Sequence, residues 1–405
     1  MHDKYVVYSN PFLNKQLYIH KHISTILYCI IFFFLKNSTI FKFYNIFVYL
    51  INILHKNKLM AQHSDDNAYA IIFEMGNYTI YNNKLTKGVD FTMKNNIYGN
   101  VPTFLGSKNL SHATELDTDV LVYGVPFEGE STWGDYTGVE LGPKQIRLSS
   151  ARYSQYLPEL NHIDVSKHLS MGDVGDVPFV AHDNKQSYDN IESFAYNLWQ
   201  TNKFLIGLGG EHGVTYPILK ALTKTNKRVG IIHLDAHYDN MPDHEGEAYA
   251  RSTPFMRLYE TDGIRNESII HTGIHGPRNK PETGQYAEQA GAVTLTINDI
   301  REATNLKKLA KDIYALASKD VDVVYLTICS DVLDFAFNPG GPVDGNGITS
   351  YELLTLIHEF GKLGLCGMDY VEVYPMQDAN QNSAHFVSTA VLYVLAGHAK
   401  YLGKL

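Results

Sequence analysis

Cysteine is scarce in this chain, and the three present, Cys29, Cys329 and Cys366, lie far apart with no C-x-x-C pair. That spacing argues against a disulfide scaffold and for a reducing compartment, the cytoplasm. There is no Lys/Arg-rich block and the net charge is −9, so the electrostatic footprint of a nucleic-acid or anionic-membrane partner is missing. A small-molecule substrate is expected instead. No uninterrupted apolar run reaches the roughly 20 residues of a membrane-spanning helix, and from residue 60 onward there is no internal repeat or low-complexity tract. What the chain does have is size: 405 residues, 44% of them hydrophobic, can bury at least one large core.

The segment from Ile23 to Leu54 is dominated by Ile, Phe, Leu and Tyr, broken by Lys36-Asn-Ser-Thr39 and Lys42. As an anchor it is poor, and as a secretory signal it lacks a small-residue cleavage site. Its residues belong almost wholly to A/T-rich codons, and ordinary composition begins near Met60. The expectation is therefore an upstream extension over residues 1–59 with Met60 as the working start, a membrane anchor being the alternative. Residues 60–115 are polar and Asn-rich and read as an irregular arm, leaving 116–405 for the main domain.

Regular structure is announced at Val120–Val125, an apolar run ending in Gly and Pro. Further runs follow at Phe204–Leu208, Val229–Leu234, Ile269–Ile274, Val293–Ile297, Val321–Ile328 and Leu365–Val373. Helical patterns at Thr215–Thr223, Ile300–Ala317 and Ser350–Leu363 alternate with them. Fully apolar strands alternating with helices predict a doubly wound parallel sheet, α/β in class, with helices on both faces.

The chemistry gathers where these strands end. Ile231-Ile-His-Leu-Asp-Ala-His-Tyr-Asp239 closes with Asp235, His237 and Asp239 at alternate positions, which an extended backbone points to one side. Gly209-Gly-Glu-His212 follows another strand, Cys329 and Asp331 leave a third, and Glu372 follows a fourth. Ligands of open α/β sheets collect at these carboxyl ends, so a metal site is expected there.

These motifs together resemble the ureohydrolases, the arginase, agmatinase and formimidoylglutamase family, over about residues 115–400. Gly209–His212 resembles its GG(D/E)H, Asp235–Asp239 its DAHxD, Thr327–Asp334 its SxDxDxLD and Val371–Pro375 its VEVNP. The resemblance implies a three-layer sheet fold, assembly as homotrimers or homohexamers, and two Mn²⁺ or related ions. It places His212 and Asp239 on the first ion, His237 and Asp331 on the second, and Asp235 between them. Glu372 would hold a substrate guanidinium, and Asp334 would take or give a proton. The implied reaction is hydrolysis of a guanidino compound, agmatine or a guanidino acid, to release urea; a formimidoylglutamase releasing formamide, or a metal-poor member without turnover, are the alternatives.

Two positions depart from the family pattern. Cys329 stands where a second bridging Asp is expected. It is either a soft thiolate ligand, favouring Zn²⁺, Fe²⁺ or Ni²⁺ relative to Mn²⁺, or merely a small buried residue. Arg251 stands where arginases and agmatinases carry a proton-shuttling His; an arginine stays protonated and cannot shuttle. It either binds a substrate carboxylate or lies exposed on a loop. His275 and Arg278 follow a strand and either line the pocket or are incidental.

Overall fold

The computed structural model describes residues 101–405 apart from 112, 114, 115, 130–136, 181, 182 and 343, together with two short strands upstream. The chain divides into two units, Met1–Val89 and Asp90–Leu405. In the first, Glu74–Met75 pairs antiparallel with Tyr78–Thr79; the extension or anchor expected in 1–59 lies outside the described residues. Among the described residues no helix is long and apolar enough to cross a membrane.

The second unit holds a nine-stranded sheet. Its strands are β1 (Lys108–Asn109), β2 (Val120–Gly124), β3 (Met171–Asp176), β4 (Phe204–Leu208), β5 (Val229–Leu234), β6 (Ile264–Ile274), β7 (Val293–Thr296), β8 (Val323–Cys329) and β9 (Leu365–Val371). They run in the spatial order β7-β6-β5-β8-β9-β4-β2-β3-β1, and each neighbouring pair is parallel. The doubly wound parallel sheet is as expected.

Both faces are covered, which is why the central strands β4, β5 and β8 are largely apolar. Within β5, Val229 and Ile231 join a core with helices Asn184–Trp199 and Thr215–Thr223, while Ile232 and Leu234 face Ser350–Leu363 and Asn382–Tyr401. Each is fully buried, a contribution of roughly 1.5–3 kcal/mol per side chain. Helix Ser350–Leu363 starts at a capping box in which Thr349 and Glu352 satisfy each other's backbone N–H groups; removing such a cap costs about 1 kcal/mol.

Two local expectations are corrected, and one strand is found that the sequence pattern does not show. The helix expected over Ile300–Ala317 is two, Ile297–Glu302 and Leu306–Ala317, because Ala303 turns extended and the Asn305 side chain caps a new start on the Lys308 N–H. Strand β6 begins five residues before the expected Ile269. Strand β3, Met171-Gly-Asp-Val-Gly-Asp176, has too few apolar residues to show periodicity; its Asp173 instead receives the buried Arg147 guanidinium at 2.8 and 3.0 Å.

Candidate metal centre

Four adjacent strands, β5, β8, β9 and β4 in spatial order, end in the chemistry-bearing residues. The turn after β4 passes so close to Phe127 that a Cβ on Gly210 would lie 2.0 Å from its carbonyl oxygen. Glycine is needed there for close approach rather than for a left-handed bend. Asp239 and Glu372 do bend that way, at φ 46° and 63°, a conformation that costs non-glycine residues of order 1–3 kcal/mol and recurs at functional sites.

Two clusters form around one carboxylate. His212 Nδ1 lies 2.9 Å from Asp235 Oδ2 and 2.9 Å from Asp239 Oδ2. His237 Nδ1 lies 3.0 Å from Asp331 Oδ2 and 3.5 Å from Asp235 Oδ1. Ligating atoms of Asp235, Cys329 and Asp331 all fall within 4.8 Å of one another, and those of His237, Asp331 and Asp344 do likewise. The structure thus brings the six ligand candidates of the sequence to one buried rim.

The far nitrogen of each imidazole is held. His212 Nε2 lies 3.0 Å from Thr327 Oγ1, and His237 Nε2 lies 3.2 Å from Asp344 Oδ2. Both Nδ1 atoms thereby face the carboxylates. His212 Nδ1, buried and 2.9 Å from two oxygens, makes no hydrogen bond to either.

Electrostatics point the same way. Burial, then the charge of Asp235, pushes Asp239 up to about 7. Burial and Asp235 likewise raise Asp331 and hold the Cys329 thiol well above its ordinary value. Burial opposes charge on His212 and His237, but the surrounding aspartates outweigh it and hold both well above the usual imidazole range. So many acids in one dry cavity call for positive charge, and the donor set of three carboxylates, two imidazoles and a thiol fits divalent cations.

Beside this centre, Glu372 is 3% exposed. Its Oε1 accepts the His212 backbone N–H at 2.7 Å and its Oε2 accepts the Tyr374 hydroxyl. Arg251 is equally buried, which removes the exposed-loop reading. Its guanidinium bonds the Tyr374 hydroxyl and lies 3.5–3.6 Å from Glu372, Glu211 and Glu128. Burial lifts Glu211 to about 8 and Glu128 to about 7.

Asp334, His275 and Arg278 each have polar partners of their own. The Asp334 carboxylate accepts the Ala336 and Asn346 backbone N–H groups at 2.9 and 2.8 Å and so shapes its own loop. His275 is buried after β6, with Nδ1 on the Gly273 carbonyl at 2.6 Å; Arg278 pairs with Asp344 at 3.1 Å.

Sequence reasoning missed His233, Thr327, Asp344 and Tyr374. His233 had a signal, since it alternates with Asp235 and shares its side of the strand; Asp344 sits in a loop and had none.

The arginase family model matches residues 118–397. An agmatinase of Bacillus subtilis is 34% identical over 287 residues, 70% of this chain and 93% of that protein. A formimidoylglutamase of Halalkalibacterium halodurans is 31% identical, covering 68% of this chain and 85% of that one. Among solved structures, the proclavaminate amidino hydrolase of Streptomyces clavuligerus superposes with a TM-score of 0.69 at 26% identity, over 76% of this chain and 99% of that one. With the fold, the motifs and these likenesses in agreement, the chain belongs to the arginase family.

Proposed function

We propose that this chain hydrolyses a C–N bond of a small guanidino compound and releases urea, with two divalent cations at the sheet rim. Asp235 carries the reading, because its two carboxylate oxygens turn to different clusters: Oδ2 to His212 and Oδ1 to His237. His212, Asp235 and Asp239 would hold one ion; His237, Asp235, Asp331 and Cys329 would hold the other. Such a pair, when bound, supplies a water of lowered pKa and charge for the developing tetrahedral centre. Hard oxygen donors predominate and favour Mn²⁺, while the Cys329 thiol draws the second position toward Ni²⁺, Zn²⁺ or Fe²⁺.

Substrate orientation falls to Glu372, whose charge-assisted contact suits a planar amidinium. Arg251 already stands against it, and a substrate amidinium must share or replace that contact. The neighbours of Arg251 are Glu128, Glu211 and Glu372. With Arg251 already matched by acidic neighbours of its own, agmatine or another guanidino compound without a carboxylate tail suits the pocket better than a guanidino acid. Likeness to a formimidoylglutamase supports a formimino substrate as the second reading.

Metal analysis of the purified protein, paired with a screen for urea and ammonia release from agmatine, arginine, guanidinobutyrate, guanidine and formimidoylglutamate, tests the assignment. Two ions per chain and urea from one guanidino compound are expected. Formamide from formimidoylglutamate would select the second reading. Less than one ion per chain and no turnover after metal loading would sink both.

A further inference from the structure

Behind the rim, a second set of buried polar groups crosses the sheet. His271 of β6 and His233 of β5 are register partners, and both are fully buried. His233 Nε2 lies 2.9 Å from Asp235 Oδ2, His233 Nδ1 lies 2.7 Å from His271 Nδ1, and His271 Nε2 lies 2.7 Å from the Tyr259 hydroxyl. The Tyr259 oxygen in turn faces the Asn240 amide at 3.3 Å. Phe255 stacks on the His233 ring at 4.0 Å between centroids and 28° between planes, which holds the ring against rotation.

We infer that Tyr259, His271 and His233 form a hydrogen-bond chain of one direction that ends on Asp235 and positions the carboxylate the two metal sites share. The inference rests on the metal reading for its purpose, but its direction follows from proton counting. An ionised carboxylate only accepts, so His233 Nε2 donates. A neutral imidazole has one N–H, so His233 Nδ1 accepts and His271 Nδ1 donates. His271 Nε2 must then accept from the Tyr259 O–H. The facing Nδ1 atoms of His233 and His271, 2.7 Å apart, share one proton, since two N–H groups cannot point at each other. Asp235 Oδ2 is the acceptor at the end of the chain, receiving His233 Nε2–H. The other oxygen, Oδ1, accepts the His237 backbone N–H at 2.6 Å. With both oxygens engaged, the carboxylate plane is fixed before any cation arrives. His271 and Tyr259 are then positioning residues, acting on the ligand through His233.

The test uses the full chain, stripped of metal and titrated with Mn²⁺, beside a neutron structure of the metal-free protein. His271→Ala should weaken Mn²⁺ binding about tenfold or more, the usual cost of losing an outer hydrogen bond to a ligand. His271→Asn, whose amide can donate to His233 Nδ1, should recover most of that loss, and Tyr259→Phe should cost less than His271→Ala. Deuterons are expected on His271 Nδ1 and His233 Nε2. Unchanged binding in His271→Ala, His271→Asn falling as far as His271→Ala, or deuterons on the opposite nitrogens would each overturn the chain. Wild-type protein that binds no Mn²⁺ would instead defeat the metal reading, while the neutron map still decides the hydrogen bonds. If His271→Ala fails to fold, Tyr259→Phe and His271→Asn carry the comparison.

Discussion

The two halves of the rim are built to different standards. On one side, His212 and Asp239 face Asp235 with oxygen and nitrogen donors alone, and the imidazole is braced by the neutral hydroxyl of Thr327. On the other, His237 and Asp331 share their cluster with the Cys329 thiol, and the imidazole is braced by the Asp344 carboxylate, itself paired with Arg278. The first half offers a cation oxygen and nitrogen donors only. The second includes a buried thiol whose proton must leave before sulfur can ligate, and the carboxylate behind His237 makes that ring a stronger donor. A softer ligand is thus set beside a more basic one, and the halves should differ in metal preference.

The largest effect should come from the group common to both. Asp235→Ala should empty both positions, with urea release falling by more than the roughly 100-fold that outer-shell changes cost; retention of one ion on metal analysis would mean the halves are independent. Cys329→Asp should move only the second position toward Mn²⁺ and away from Zn²⁺ in competition titrations, and an equal shift at both would erase the contrast. Asp344→Asn should weaken the second ion by about 10- to 100-fold and spare the first.

The smallest effect lies away from the rim and separates acid sensitivity of the fold from that of the site. His398 is buried against Phe204, and burial lowers its pKa from 6.5 to about 4. The unfolded chain therefore binds its proton first, and the folded state loses stability as pH falls from about 6.5 to about 4. The loss is at most ~3 kcal/mol for this group. Denaturant titrations of His398→Leu should show a shallower decline in that window than the wild type.

Much of the sheet was legible because β4 and β5 are short, mostly apolar runs with polar punctuation. Strand β3 was not: with Gly172, Asp173 and Gly175 in its body, its place is set by Arg147 and its neighbours rather than by its own pattern. The six ligand candidates could be read because alternate residues on an extended strand share a side. The same rule covers His233, which was passed over because its partner His271 is 38 residues distant in the chain and only the sheet register joins them. Arg251 shows the other limit. Its position in a motif was visible, but its three acidic neighbours come from separate segments of the chain, and they turn a candidate carboxylate receptor into the centre of an acidic box.

The strand order carries one more consequence. Strands β8 and β9, the last of the sheet in sequence, lie between β4 and β5, which are made much earlier. During synthesis, the histidine after β4 and the aspartates after β5 emerge with no strand to hold them at their working distance. Long-range parallel pairing is slow to form, and here it must open a place in the middle of the sheet rather than extend an edge. Capture of the proposed metal pair is thus a late event, a seal on a finished fold rather than a nucleus for it, and a chain cut short before β8 has four of the six candidate ligands and no strand to complete the set.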